Sequence, residues 1–142
     1  MCFAVLPPPT KLELTLAVKA KEKQPSKAGS YILANGLVNG YPHWLKNDRS
    51  QAIWFNKVGS DWLVGPKEKL GTKYGGISGP YGKDSYPNEI KHGWRYSVPN
   101  DAWNDASPND VIFKALGTFF NTSLFKINSA LLLPTEIIFF KV

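Results

Sequence analysis

The sequence predicts an all-β fold: a small antiparallel sandwich or barrel of about 7–9 short strands, with little helix. Three observations carry this reading. Apolar side chains alternate with polar ones along several short stretches. Turn-forming pairs such as Asn35-Gly36, Asn39-Gly40 and Gly59-Ser60 separate those stretches. No stretch sustains a helical apolar period over a useful length.

Residues 11–18 (KLELTLAV) place Leu12, Leu14, Leu16 and Val18 on one face, with Lys11, Glu13 and Thr15 on the other. A period of two marks a half-buried strand. KAKEKQPSKAGS then reads as a charged connection holding Pro25 and Gly29. SYILA (30–34) is a short strand, stopped by Asn35-Gly36, and the two Asn-Gly pairs supply the positive φ of tight turns. YPHWLK (41–46) follows, then a turn at Asn47–Ser50. Strands at 51–57 and 61–65 complete an antiparallel meander. In the first of these Ile53 and Phe55 share a face, and Ala52, Trp54 and Asn56 share the other. In the second, Trp62 and Val64 lie together. Aromatic rings on both faces mean either that both faces are covered or that one is open to a partner.

Residues 65–92 are dominated by glycine, proline, lysine and tyrosine. They read as a long loop, a feature uncommon in compact domains unless it is functional or pinned by its own side chains. GWRYSV (93–98) is a strand with Trp94, Tyr96 and Val98 on one side. PNDAWNDASPND (99–110) is rich in turn formers, and VIFKAL (111–116) is a further strand. The whole of 1–142 is read as a single β domain, with a Trp-rich core at 30–116 and an apolar C-terminal extension at 117–142. That extension is expected to pair into the sheet or dock on a partner chain.

The composition supports a real core, with 43% hydrophobic and 13% aromatic residues. The net charge of +6 and a pI near 9.4 favour acidic partners. Cys2 is the one cysteine, which rules out an intrachain disulfide and a cysteine-rich zinc site. Neither a secretory leader nor a membrane-length apolar run is visible, so no membrane partner is expected.

Motifs for catalysis are lacking. His43 and His92 have no ligand-like spacing and no nucleophile motif beside them. KYGGISGPYGK (73–83) is glycine-rich but does not end in the Gly-Lys-Ser/Thr of a phosphate loop, because Asp84 follows Lys83. Three Asn-Asp pairs between residues 100 and 110 could gather oxygens for calcium. Their spacing is not that of an EF-hand, however, and local Asx-turns account for them. Neither metal nor cofactor is expected, and the protein reads as a non-enzyme. Nucleic acid is disfavoured, since no aromatic RNA-binding motif, recognition helix or zinc finger is present.

Several segments follow one another within 30–116: Val38-Asn39-Gly40-Tyr41-Pro42, Trp44, Ala52-Ile53-Trp54-Phe55, Trp62-Leu63-Val64-Gly65-Pro66, Gly75-Gly76-Ile77 and Gly93-Trp94-Arg95-Tyr96. In this order they resemble a Trp-rich β-repeat module of unassigned activity, found in modular or extracellular proteins of invertebrates and single-celled eukaryotes. The resemblance implies an interaction domain with no catalytic residues to carry over, and an extracellular or matrix-associated setting.

The expected function is therefore that of a structural or adaptor protein. It would bind another protein in a multi-component scaffold and contact a polyanionic component, either acidic glycan or biogenic silica. The alternative is a lectin-like carbohydrate-binding module, and the third reading is a hydrolase with an unfamiliar site. The expected contacts are Lys73, Tyr74, Tyr81, Lys83 and Tyr86, which would present rings and cations together, and whichever of Trp44, Trp54 and Trp103 is exposed.

Overall fold

The computed structural model describes residues 7–99 and 102–117. Nine strands form one antiparallel sheet in the order β8-β7-β6-β5-β4-β3-β2-β1-β9, curled into a half-barrel. They are β1 (Lys11–Leu16), β2 (Gly29–Leu33), β3 (Trp44–Lys46), β4 (Gln51–Asn56), β5 (Asp61–Pro66), β6 (Ile77–Tyr81), β7 (Arg95–Val98), β8 (Ala102–Asp105) and β9 (Val111–Leu116). The all-β expectation holds. Among the described residues the α-helix is a single short one, α1 (Val18–Lys23), with Ala20 its buried residue. With so little apolar surface to bury, nothing in the sequence signalled it.

Two strands lie outside the sequence reading. β6 (ISGPY) sits inside the stretch read as a loop. Its Gly79 and Pro80 break the usual strand signal. A Cβ at Gly79 would meet the Trp94 ring, so the glycine clears the space in which that indole packs. β8 (AWND) is exposed at every position and has no alternation to read. It forms by pairing with β7, in the register Arg95↔Asp105 to Val98↔Ala102.

The inner face collects Leu12, Leu14 and Leu16 of β1, Tyr31, Trp44, Ile53, Phe55, Trp62, Val64, Ile77, Trp94, Tyr96, Val111 and Phe113. The aromatic rings interlock. Tyr41 stacks on Phe55 at 3.9 Å, while Trp62 meets Phe55 at 5.3 Å and Trp44 at 5.7 Å, both edge-on. Such offset and edge contacts add to what burial of the rings already contributes. β1 pairs with β2 and β9 together, with Leu14 opposite Gly29 and Phe113.

The curl brings the flanks of the sheet together. Trp94, just before β7, tilts against Phe113 of β9 with ring centroids 4.6 Å apart. From the connection after α1, Gln24 donates to the Ser97 carbonyl of β7 at 2.8 Å and to the Ser97 hydroxyl at 2.9 Å.

All six residues of β4 are buried, so both of its faces are covered. The outer face carries a second cluster of Ala52, Trp54 and Leu63, roofed by Val38, Leu45 and Leu70 from neighbouring segments. The two-faced aromatic pattern of 51–65 is thus resolved as coverage on both sides. The Trp54 ring lies over Gly65, where a Cβ would come within 3.0 Å of the indole and 2.9 Å of the Gly75 backbone. The apolar extension read from the sequence lies beyond Gly117, outside the described residues, as does Cys2.

Candidate functional site

A concavity of about 680 Å³ opens between the α1–β2 connection, the loop from β5 to β6, and the β7–β8 ribbon. Its chemistry comes from Lys27, Lys69, Lys73, Tyr74 and Trp103, with Gly75 and Gly76 on the wall.

Lys27 is the unusual member. It follows Pro25 and Ser26 in a 3₁₀ turn and is only 7% exposed. The Tyr31 hydroxyl donates to the Lys27 carbonyl at 2.6 Å, which fixes the backbone below the side chain. No carboxylate pairs with its ammonium among the described residues. Desolvation, followed by the charge of Lys46, holds the ammonium below its ordinary pKa. Gly76 is what makes the position possible: a Cβ there would fall 2.3 Å from Gln24 Oε1 and 2.6 Å from Lys27 Cε. The Gly76 backbone is itself held on both sides, donating to the Val64 carbonyl at 2.8 Å and accepting from Ser97 N at 2.8 Å.

The β5–β6 loop supplies the other cations. Tyr74 is 60% exposed, and Lys73 and Lys69 stand 5.6 Å and 5.9 Å from its ring centre. Thr72 shapes the loop: its hydroxyl donates to the Lys69 carbonyl at 2.7 Å and accepts from Tyr74 N at 3.2 Å. The Thr72 carbonyl in turn accepts from the buried indole of Trp54 at 2.8 Å. Across the opening, Trp103 is 38% exposed, with the Arg95 guanidinium 5.3 Å from its ring. The concavity thus has one nearly buried cation at its wall, two cations on one rim, and an exposed ring on either side.

The expected contact residues divide. Lys73, Tyr74 and Trp103 come together here. Tyr81 and Lys83 are exposed but lie elsewhere, at the end of β6 and in the turn after it. Tyr86, Trp44 and Trp54 correct the expectation, because none is a surface contact. Tyr86 is 4% exposed, with its ring edge-on to Trp44, and the two tryptophans are fully buried. Each ring is large enough to be worth more as core than as surface. Sequence reasoning missed Lys27, Lys69 and Gln24. Lys27 stood at the end of the basic run 19–27 but carried no sign that it would fold inward.

Other candidates do not assemble. His92 is exposed, and no hydroxyl among the described residues donates to either imidazole. Asn104 and Asp105 are consecutive in β8 and therefore face opposite ways. The Asp110 carboxylate accepts from Ser107 N at 3.0 Å, three residues upstream, and Asp110 N donates back to the Ser107 carbonyl at 2.8 Å, so this oxygen is engaged within its own turn. Asn100 and Asp101 lie outside the described residues. Among the described residues no helix is long and apolar enough to cross a membrane. Comparison with known protein families, curated proteins and solved structures finds no match for this chain.

Proposed function

We propose that the protein is a non-catalytic binding module that engages an acidic glycan through the Lys27–Tyr74–Trp103 concavity, as an adaptor within a matrix-like extracellular assembly. The observation that carries the reading is Lys27. A desolvated ammonium without a counterion is a standing electrostatic deficit, and an incoming carboxylate or sulfate would remove it. The exposed Tyr74 and Trp103 rings suit the C–H faces of sugar rings, and Lys69 and Lys73 add anion affinity. The Trp-rich resemblance of residues 30–116 to an interaction module points the same way. Glycan suits this shape better than silica, because the cations converge on a concavity, whereas a mineral face is flat.

The test is calorimetric titration of the full chain with polygalacturonate, dextran sulfate and neutral dextran. The two acidic polymers should bind with an affinity that falls as salt rises, and dextran should not. Lys27→Met should lose most of the affinity. Equal binding of all three polymers, or undiminished binding by Lys27→Met, would refute the assignment.

A further inference from the structure

A second concavity, of about 500 Å³, lies between β2 and β3 and shares no lining residue with the first. Ile32 and Leu45 give it an apolar wall, and His43, Lys46, Asn47 and Arg49 give it polar groups.

His43 is 7% exposed. Trp44 next to it points into the core, so the imidazole points to the opposite side of the sheet. Burial holds the imidazole below its ordinary pKa and so neutral, opposed in part by the nearby Gly36 backbone. Nδ1 is buried without a hydrogen-bond partner, and in the neutral ring with its proton on Nε2 it is a bare acceptor. A buried acceptor of this kind calls for a donor. Arg49 stands in the turn after β3, exposed, with a five-donor fork that no carboxylate occupies among the described residues. Lys46 adds its charge while donating to the Ser26 carbonyl at 2.7 Å. Asp48, the acidic neighbour, is already engaged with the Ser50 amide and hydroxyl. The concavity therefore combines surplus positive charge, one unanswered acceptor and an apolar wall.

We propose that this concavity binds a hydroxy-carboxylate, such as a single uronic acid unit. The ligand's carboxylate pairs with Arg49, its hydroxyl donates to His43 Nδ1, and its C–H skeleton lies along Ile32 and Leu45. The alternatives meet the site only in part. A neutral sugar leaves the Arg49 guanidinium unanswered, and a plain carboxylate leaves Nδ1 without a donor. The assignment is independent of the first concavity, since it uses none of that site's residues.

The experiment is an NMR titration of the full chain with glucuronate, glucose and cyclohexanecarboxylate, following the His43 imidazole and Arg49 guanidinium signals. Glucuronate should shift both signals in a saturable way. Glucose and cyclohexanecarboxylate should bind roughly tenfold more weakly, since each forfeits one of the two polar contacts. Arg49→Gln, an exposed change that leaves the core alone, should weaken glucuronate roughly tenfold, and His43→Phe should erase the preference for a hydroxyl. Lys27→Met should leave all of this unchanged. The proposal is overturned if glucuronate moves neither signal, if glucose binds equally well, or if Arg49→Gln binds as the parent does. Loss of the signal shifts in Lys27→Met would overturn it too, by placing the ligand in the other concavity.

Discussion

Four of the tryptophans and the fifth are put to different uses. Trp44, Trp54, Trp62 and Trp94 are all buried, and each donates its indole N–H to a carbonyl outside the strands: Pro9 at 2.8 Å, Thr72 at 2.8 Å, Ser85 at 2.7 Å and Ile90 at 3.0 Å. Each ring fills the core or the outer cluster, and its single polar atom reaches out to hold an irregular segment in place. Trp103 has no such carbonyl partner among the described residues. It lies on β8, half open to solvent, under the Arg95 guanidinium. The same side chain is thus a fastener where a loop must be held and a contact surface where the sheet runs out. Burial of the N–H, together with its partner, distinguishes the two.

The largest expected effect tests the fastener role. Trp44→Ala removes a fully buried indole and leaves the Pro9 carbonyl without its donor, and should destabilise the fold by about 3–5 kcal/mol in denaturant unfolding. Next is Trp54→Phe, which keeps most of the ring but releases Thr72. A loss of about 1–2 kcal/mol is expected. Amide exchange should also quicken across residues 69–75, and polygalacturonate should bind more weakly although Trp54 never touches it. If binding by this variant is unchanged, the outer fastener has no part in shaping the concavity.

Lys27→Met should go the other way, stabilising the fold by roughly 1 kcal/mol while removing the binding. The pH dependence has a definite sign. The folded pKa of Lys27 lies below its ordinary 10.5, so the unfolded chain holds that proton to higher pH. The penalty is fully present below the folded pKa and is relieved as pH rises toward 10.5. The advantage of Lys27→Met over the parent should therefore shrink on raising the pH through that interval. Tyr31, whose pKa burial raises, acts oppositely above pH 10 but is common to both proteins. The smallest effect tests the contact role. Trp103→Ala should change stability by no more than about 0.5 kcal/mol, yet weaken polygalacturonate several-fold. A large stability loss here would erase the distinction between the two kinds of tryptophan.

Much of the architecture was legible in advance, because alternation is a local signal. Leu12, Leu14 and Leu16 announced β1, and Ile53, Phe55, Trp62 and Val64 announced the central hairpin. What escaped were elements that depend on their neighbours. β8 exists because β7 lies beside it, and β6 is a strand in spite of Gly79 and Pro80. The site was half legible. Lys73 and Tyr74 stood out as a cation–ring pair in a long segment. Lys27 did not, because its inward turn depends on the missing side chain at Gly76, nearly fifty residues away. Likewise the parity of Trp54 put it on the outer face, but only the loop bearing Leu70 and Thr72 decides that this face is closed.

The junction of Trp94 with Phe113 has a mechanical corollary. Among the described residues no backbone ladder joins β8 to β9, and the curled wall has a seam bridged by two rings and the Gln24 side chain. Heat or tension can part that seam while every strand keeps its hydrogen-bonded neighbours. The shell should accordingly yield first by unrolling there, well before any strand is lost.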